Sequence, residues 1–143
     1  MKIKAKTEYA YWALVDLAMN TRRNEPVRLS EISERQRIPE KFLLQVMSAL
    51  RQAGLVRSVR GQHGGYVLAR PPAAITMNDV LRATGVEPVV MRFAPASAKS
   101  RSGSSLLRVL QEVDETVEKA LTRLTLADAL ALEVSRNAPN YAI

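Results

Sequence analysis

The chain of 143 residues has no cysteine and one histidine, His63. The first absence excludes disulfides, cysteine-ligated zinc, thiolate-bound iron–sulfur clusters and cysteine nucleophiles together. The second excludes any site needing two imidazoles and leaves metal chemistry to carboxylates with at most one histidine. No apolar run approaches the ~18 residues of a transmembrane helix. The basic start, Met1-Lys2-Ile3-Lys4-Ala5-Lys6, runs into polar residues rather than an apolar h-region. No secretory signal is therefore read, no membrane partner is expected, and the expected compartment is the cytoplasm. Enzymatic machinery is missing too. No nucleophile–base pair or metal set accompanies His63, and the glycines of 61–65 are not followed by the Gly-Lys-Ser/Thr of a phosphate loop. No cofactor is expected.

What is present is a globular balance, 47% hydrophobic and 24% charged, of a length for one domain or one domain plus an extension. The net charge of +7 is unevenly placed. Residues 1–70 carry 13 Lys and Arg against 6 Asp and Glu, whereas residues 71–143 carry 8 of each. A basic unit joined to a neutral one is the arrangement of a polyanion-binding module with an assembly or sensing extension.

Hydrophobic spacing predicts a helix over residues 5–20, with Tyr9, Ala10, Ala13, Leu14, Leu17 and Ala18 on one side. After Pro26, the stretch Val27-Arg28-Leu29 reads as a short extended link. Ser30 reads as the N-cap of a second helix over about 30–37, with Glu31 in its first turn. Pro39 opens a third helix, in which Leu43, Val46, Met47 and Leu50 form one buried stripe and Gly54 is the terminating residue. Two strands follow, 55–60 and 66–70, joined by the glycine-rich stretch 61–65. Thr76 and Asp79 form a capping pair for a fourth helix ending near Gly85. Residues 86–104 read as irregular, and a loop of that length in a small domain is usually functional or mobile. Leu106, Leu110, Val113, Val117, Ala120 and Leu124 then repeat at spacings of 4, 3, 4, 3 and 4, a heptad seam. Thr125 and Asp128 cap a short last helix over about 126–134. The fold class expected is mainly α with a small β-hairpin wing: a winged helix-turn-helix plus a long C-terminal dimerisation helix. The division expected is 1–85 winged-helix unit, 86–104 irregular segment with a sensing role, 105–134 dimerisation helix and short last helix, and 135–143 tail.

A duplex major groove admits one helix whose inner face is held by packing and whose outer face reaches base edges. Lys41, Gln45, Ser48 and Arg51 supply that face in the third helix, and Gln45 has the amide that pairs with adenine. On the hairpin, Arg60, Gln62 and His63 flank three glycines, so hydrogen-bond donors sit where the backbone can approach a narrow minor groove. Ser30 completes the candidates for double-stranded DNA. The heptad seam, with Leu107 and Leu121 beside it, is apolar surface either for internal packing or for a second copy. Symmetric half-sites favour the homodimer. Glu8, Tyr11 and Trp12 are candidates for an effector site, although an aromatic there also serves core or dimer packing.

The segments Lys4-Ala5-Lys6-Thr7-Glu8-Tyr9-Ala10, Leu29-Ser30-Glu31-Ile32-Ser33-Glu34-Arg35-Gln36-Arg37-Ile38 and Val59-Arg60-Gly61-Gln62-His63-Gly64-Gly65-Tyr66-Val67-Leu68 resemble the Rrf2 family of bacterial transcription regulators. Gly54-Leu55-Val56 and Thr125-Leu126-Ala127-Asp128 extend the resemblance to about residue 134. It implies a dimeric winged-helix repressor or activator with recognition helix 40–53, wing 60–66 and dimerisation helix about 104–124. By position, Lys41, Leu44, Gln45 and Ser48 would face the major groove and Arg60 the minor groove. Leu44 is a departure, because an apolar side chain there favours a thymine methyl. Many members of the family resemble iron–sulfur sensors with three cysteines before the dimerisation helix; this chain has Phe93, Lys99 and Ser105 at that spacing. Glu8 stands where some relatives supply a non-cysteine ligand, but here it lacks partners and serves as a charge in the first helical turn.

The function expected is sequence-specific transcriptional regulation by a homodimer on a palindromic operator, without a cysteine-ligated cluster. The effector is open between a small molecule and a partner protein. One alternative is a winged-helix protein–protein interaction module that has kept the fold without DNA binding. Another is an iron–sulfur-sensing regulator whose cysteines have been replaced.

Overall fold

The structure, a computed structural model, describes residues 1–21, 25–88 and 101–137. Three helices come first: α1 (Ala5–Asn20), α2 (Leu29–Gln36) and α3 (Glu40–Gln52). The strands β1 (Val56–Val59) and β2 (Gly65–Leu68) form an antiparallel hairpin. A 3-10 turn (Pro72–Ala74) leads to α4 (Met77–Ala83), and α5 (Arg101–Arg123) and α6 (Leu126–Asn137) follow. Among the described residues, no helix is long and apolar enough to cross a membrane.

The core forms where the apolar stripes of these helices meet. Ala10, Ala13, Leu14 and Leu17 of α1 are fully buried against Ile32 of α2 and the stripe Leu43, Val46, Met47 and Leu50 of α3. Each such Leu or Ile contributes about 1.5–3 kcal/mol by leaving water. Leu55 and Val56 carry the core into the hairpin, and Ile75 and Val80 into α4. The last helix returns to the same core through Leu126 and Ala129. That return is held by Met77 N–H donating to Leu124 O at 2.9 Å and Leu126 N–H donating to Ile75 O at 2.8 Å.

Local chemistry explains the helix ends. Asp79 N–H donates to Thr76 Oγ1 (3.1 Å) while Thr76 N–H donates to Asp79 Oδ2 (2.9 Å), the reciprocal box expected from the sequence. Between α2 and α3 the chain reverses at Arg37, which is left-handed (φ 54°). This turn is closed by the Ser33 hydroxyl donating to Ile38 O (2.6 Å) and Ile38 N–H donating to Ser33 O (3.1 Å). A non-glycine residue accepts that conformation at a cost of about 1–2 kcal/mol, which the buried Ile32 and Ile38 on either side offset.

Four sequence expectations are corrected. Ser30 is not an N-cap: Arg28 holds that position, with its N–H donating to Glu31 Oε2 at 3.0 Å, and Ser30 lies inside α2. The strands are shorter than 55–60 and 66–70, because the ladder runs only from Val56↔Leu68 to Val59↔Gly65. The fifth helix begins by Arg101, so the serine-rich stretch to 104 is not all irregular. Inside this helix the Ser105 hydroxyl finds its own acceptor by donating back to Ser102 O (2.9 Å), which is how a serine is accommodated within a helix. The last helix continues to Asn137, past the expected 134 and into the expected tail. Of the expected irregular segment, residues 89–100 lie outside the described residues, as do 138–143 of the tail.

Candidate nucleic-acid interface

The buried stripe of α3 dictates what its other side presents. Lys41, Leu44, Gln45 and Arg51 are exposed and Ser48 is half-buried. Lys41, Gln45, Ser48 and Gln52 make one outward row at i, i+4, i+7 and i+11. Gln52, absent from the sequence candidates, was legible from that spacing. Two apolar side chains also stand in water on this helix, Leu44 (54% exposed) and Phe42 (50%). Phe42 is a further missed candidate, since helical spacing alone places it at the edge of the core stripe. Ser30 is exposed in the first turn of α2.

The hairpin projects Arg60, Gln62 and His63, all exposed. Its geometry depends on missing side chains. A Cβ on Gly65 (φ 156°) would collide with Val27 O, and one on Gly64 with Val59 O. The first contact is close because Val27 and Tyr66 exchange two backbone hydrogen bonds, Val27 N–H to Tyr66 O (2.9 Å) and Tyr66 N–H to Val27 O (2.8 Å). The link before α2 thus acts as a third edge to the wing. The next residue completes the connection: Arg28 Nη2 donates to Gln62 O at 3.0 Å across 34 positions of sequence. Arg28 was not among the sequence candidates, and no local pattern could have joined it to the hairpin.

Several exposed cations of α3, the hairpin and the preceding link carry no ion pair among the described residues. Within 4.0 Å, Arg28, Lys41, Arg51, Arg57 and Arg60 have no carboxylate partner among the described residues. Arg35 is different. Its Nε and Nη2 donate to Asp16 Oδ2 (3.0 Å) and Oδ1 (2.8 Å), and Gln36 Nε2 donates to Oδ2 (3.0 Å). Asp16 is 1% exposed on α1, so this fork ties the end of α2, just before the helix-turn-helix reversal, to the central helix. The hydrogen bond with Asp16 holds the Arg35 guanidinium above its ordinary range, against the opposing effect of burial.

Glu8, Tyr11 and Trp12 come together on a second surface. They line a groove of about 400 Å³ with Met1, Ile3, Thr7, Met77, Val80, Leu81 and Leu121. Burial, and then the Glu133 carboxylate, push the Tyr11 phenol above its usual pKa, so it is a neutral donor at neutral pH. Trp12 leans on Tyr9 with ring centroids 5.4 Å apart. Beneath the groove, the Thr7 and Thr84 hydroxyls share a buried hydrogen bond of 2.8 Å that links α1 to the end of α4.

The heptad seam is only partly covered. Helix α5 packs on α4, with an exposed ion pair from Arg82 Nη2 to Glu118 Oε1 (3.3 Å). Leu110, Val117 and Ala120 are half-buried, while Leu106 (48%), Val113 (37%) and Leu124 (43%) remain exposed, as does Val109 beside them.

The residues present do not fit the iron–sulfur ligation that the resemblance raises. The chain has no cysteine to bind iron as thiolate. Phe93 and Lys99 lie outside the described residues, and Ser105 is an exposed residue of α5 bonded to its own helix. His63 stands on the wing, and among the described residues no three His, Asp or Glu side chains converge as a metal-ligand set.

Comparison with known proteins agrees with this architecture. Residues 3–131 match the Rrf2 family, described as an iron-dependent transcriptional regulator. The HTH-type transcriptional regulator IscR of Cereibacter sphaeroides is 42% identical over 105 residues, 73% of this chain and 68% of that protein. Among solved structures, CymR, the global cysteine regulator of B. subtilis, superposes with a TM-score of 0.78 at 30% identity, covering 92% of this chain and 98% of that one. T. potens IscR superposes with a TM-score of 0.73 at 34% identity, covering 98% and 93%. With the helix-turn-helix, the wing and this match over most of its length, the chain belongs to the Rrf2 family of winged-helix, DNA-binding transcriptional regulators, which are not enzymes.

Proposed function

We propose that the chain regulates transcription as a homodimer on a palindromic operator, and does so without a cysteine-ligated iron–sulfur cluster. The observation that carries this reading is the exposed face of α3 and the hairpin, whose Lys41, Arg51 and Arg60 form no ion pair among the described residues. Lys41, Gln45, Ser48 and Leu44 enter the major groove, Gln45 on an adenine edge and Leu44 against a thymine methyl. Arg60, with Gln62 and His63, enters the minor groove, while Arg51 in the last turn of α3 and Ser30 at the start of α2 meet the backbone. The unit 1–85 binds DNA and the helix within 105–134 assembles the dimer. Support for the second copy comes from the exposed Leu106, Val113 and Leu124, which their own fold leaves in water. Two copies joined along that seam present two recognition helices to two half-sites. The groove beside Glu8, Tyr11 and Trp12 is the place for a small-molecule or protein effector, and the sensing role expected of 86–104 is part of the same proposal.

The test is to incubate the purified protein with fragmented genomic DNA of its source organism at near-physiological salt and sequence what is retained. Enrichment of a palindrome supports the proposal, and retention unchanged by iron chelation supports cluster independence. Retention of no sequence above background refutes the operator reading.

A further inference from the structure

The wing of this protein is clasped from outside the hairpin by a cation with most of its donors unused. Arg28 directs Nη2 to Gln62 O at 3.0 Å. Its own backbone is fixed on both sides, by the reciprocal Val27–Tyr66 bridge before it and by Arg28 N–H donating to Glu31 Oε2 (3.0 Å) after it. A guanidinium has five N–H donors in a rigid fork, and the side chain is exposed. Glu25 and Glu31 each stand three residues away; Glu31 gives a carboxylate oxygen to the backbone N–H, and neither acid forms an ion pair with the Arg28 side chain among the described residues. The arginine therefore stands without a carboxylate partner at the seam between the start of α2 and the loop that carries Gln62 and His63.

We propose that Arg28 is a DNA-backbone contact, one per protomer, in which the guanidinium binds a phosphodiester at this seam while holding the wing loop by the Gln62 carbonyl. This rests on the proposed DNA-reading role of α3 and the wing. The ligand chemistry follows from the donor set. An exposed planar fork with one donor engaged and no ion pair within 4.0 Å among the described residues matches the oxygens of a phosphate. The same contact positions the loop: with Gln62 O engaged, His63 and Arg60 are presented from a braced hairpin rather than a free one.

The experiment is fluorescence anisotropy of the full-length protein on a labelled duplex recovered by the genomic selection, across salt, for the wild type, Arg28→Ala and Arg28→Lys. Each phosphate neutralised contributes about 0.9 to the slope of log affinity against log salt. Loss of one contact per protomer should reduce the magnitude of the homodimer's slope by about 2, so a fourfold rise in salt should cost Arg28→Ala roughly tenfold less affinity than the wild type. Arg28→Lys, which keeps the charge, should retain most of the slope. A weaker Arg28→Ala complex with an unchanged slope overturns the phosphate contact and leaves only a loop brace. Equal affinity and slope in all three overturns the inference while leaving the DNA-reading role intact. If the wild type binds no duplex, that role and this inference fail together.

Discussion

The link between Asp16 and the helix-turn-helix allows a prediction of size as well as sign. Replacing Asp16 by Ala deletes an acceptor that takes three hydrogen bonds, at 2.8, 3.0 and 3.0 Å, two of them from the Arg35 guanidinium. Breaking a fully buried ion pair costs about 3–5 kcal/mol, because the surviving charge is stranded. Here only one partner is fully buried: the Asp16 side chain is 0% exposed and that of Arg35 is 39%. Arg35 can regain water when Asp16 is lost, which lowers the expected cost to about 2–3 kcal/mol. Arg35→Ala should be at least as damaging, since it leaves the buried carboxylate with only Gln36 as a side-chain donor. Urea unfolding followed by circular dichroism at pH 7 measures both, and the double variant measures their coupling. The two single costs should overlap, so that the double variant is less destabilised than their sum by about 1–2 kcal/mol. A cost below about 0.5 kcal/mol for Asp16→Ala, or additive costs in the double variant, would refute the view that this fork holds α2 to α1.

Three further outcomes are expected. Arg60→Ala should weaken binding to the selected duplex by about 1–3 kcal/mol, measured by anisotropy, and unchanged affinity would remove the wing from the reading surface. Val113→Glu or Val117→Glu should yield monomers in analytical ultracentrifugation; a dimer that survives both would mean that the heptad seam serves packing within one chain. The Thr125 N–H, and then its hydroxyl, hold the Asp128 carboxylate below its usual pKa. The stabilisation of α6 from this box is therefore full above the unfolded carboxylate pKa of about 4 and is lost as pH falls through the folded value. Asp128→Asn should flatten that dependence in hydrogen exchange of the first turn of α6, and an identical pH profile in the two proteins would show that the box does not stabilise the helix.

Much of the architecture was legible because it rests on local physics. The stripe Leu43, Val46, Met47 and Leu50 is buried by helical periodicity alone, and whatever lies opposite it, Lys41 and Gln45 included, must face outward. The box of Thr76 and Asp79 closes within four residues. Other features rest on ambiguous local propensity. Serine serves both turns and helix starts, so composition does not mark the start of α5 by Arg101, and Ser30 has a capping side chain although its neighbour Glu31 serves Arg28 instead.

The order of helices, the wing, the outward face of α3 and the apolar seam of α5 were determined by the sequence itself, through spacings of three, four and two residues that need no partner elsewhere in the chain. The absence of cysteine likewise disposed of thiolate ligation before any fold was known. Tertiary structure alone decided that Arg28 reaches the wing, that Asp16 meets Arg35 and Gln36, that α6 returns Leu126 to the core of the first three helices, and that Tyr11 and Trp12 share a groove with Met77 and Leu121. Each of these joins residues from separate elements, 19 positions apart for Arg35 and Asp16 and 34 for Arg28 and Gln62. No periodicity spans such intervals; the contacts follow from how the buried stripes dock, which brings together side chains that share no local pattern.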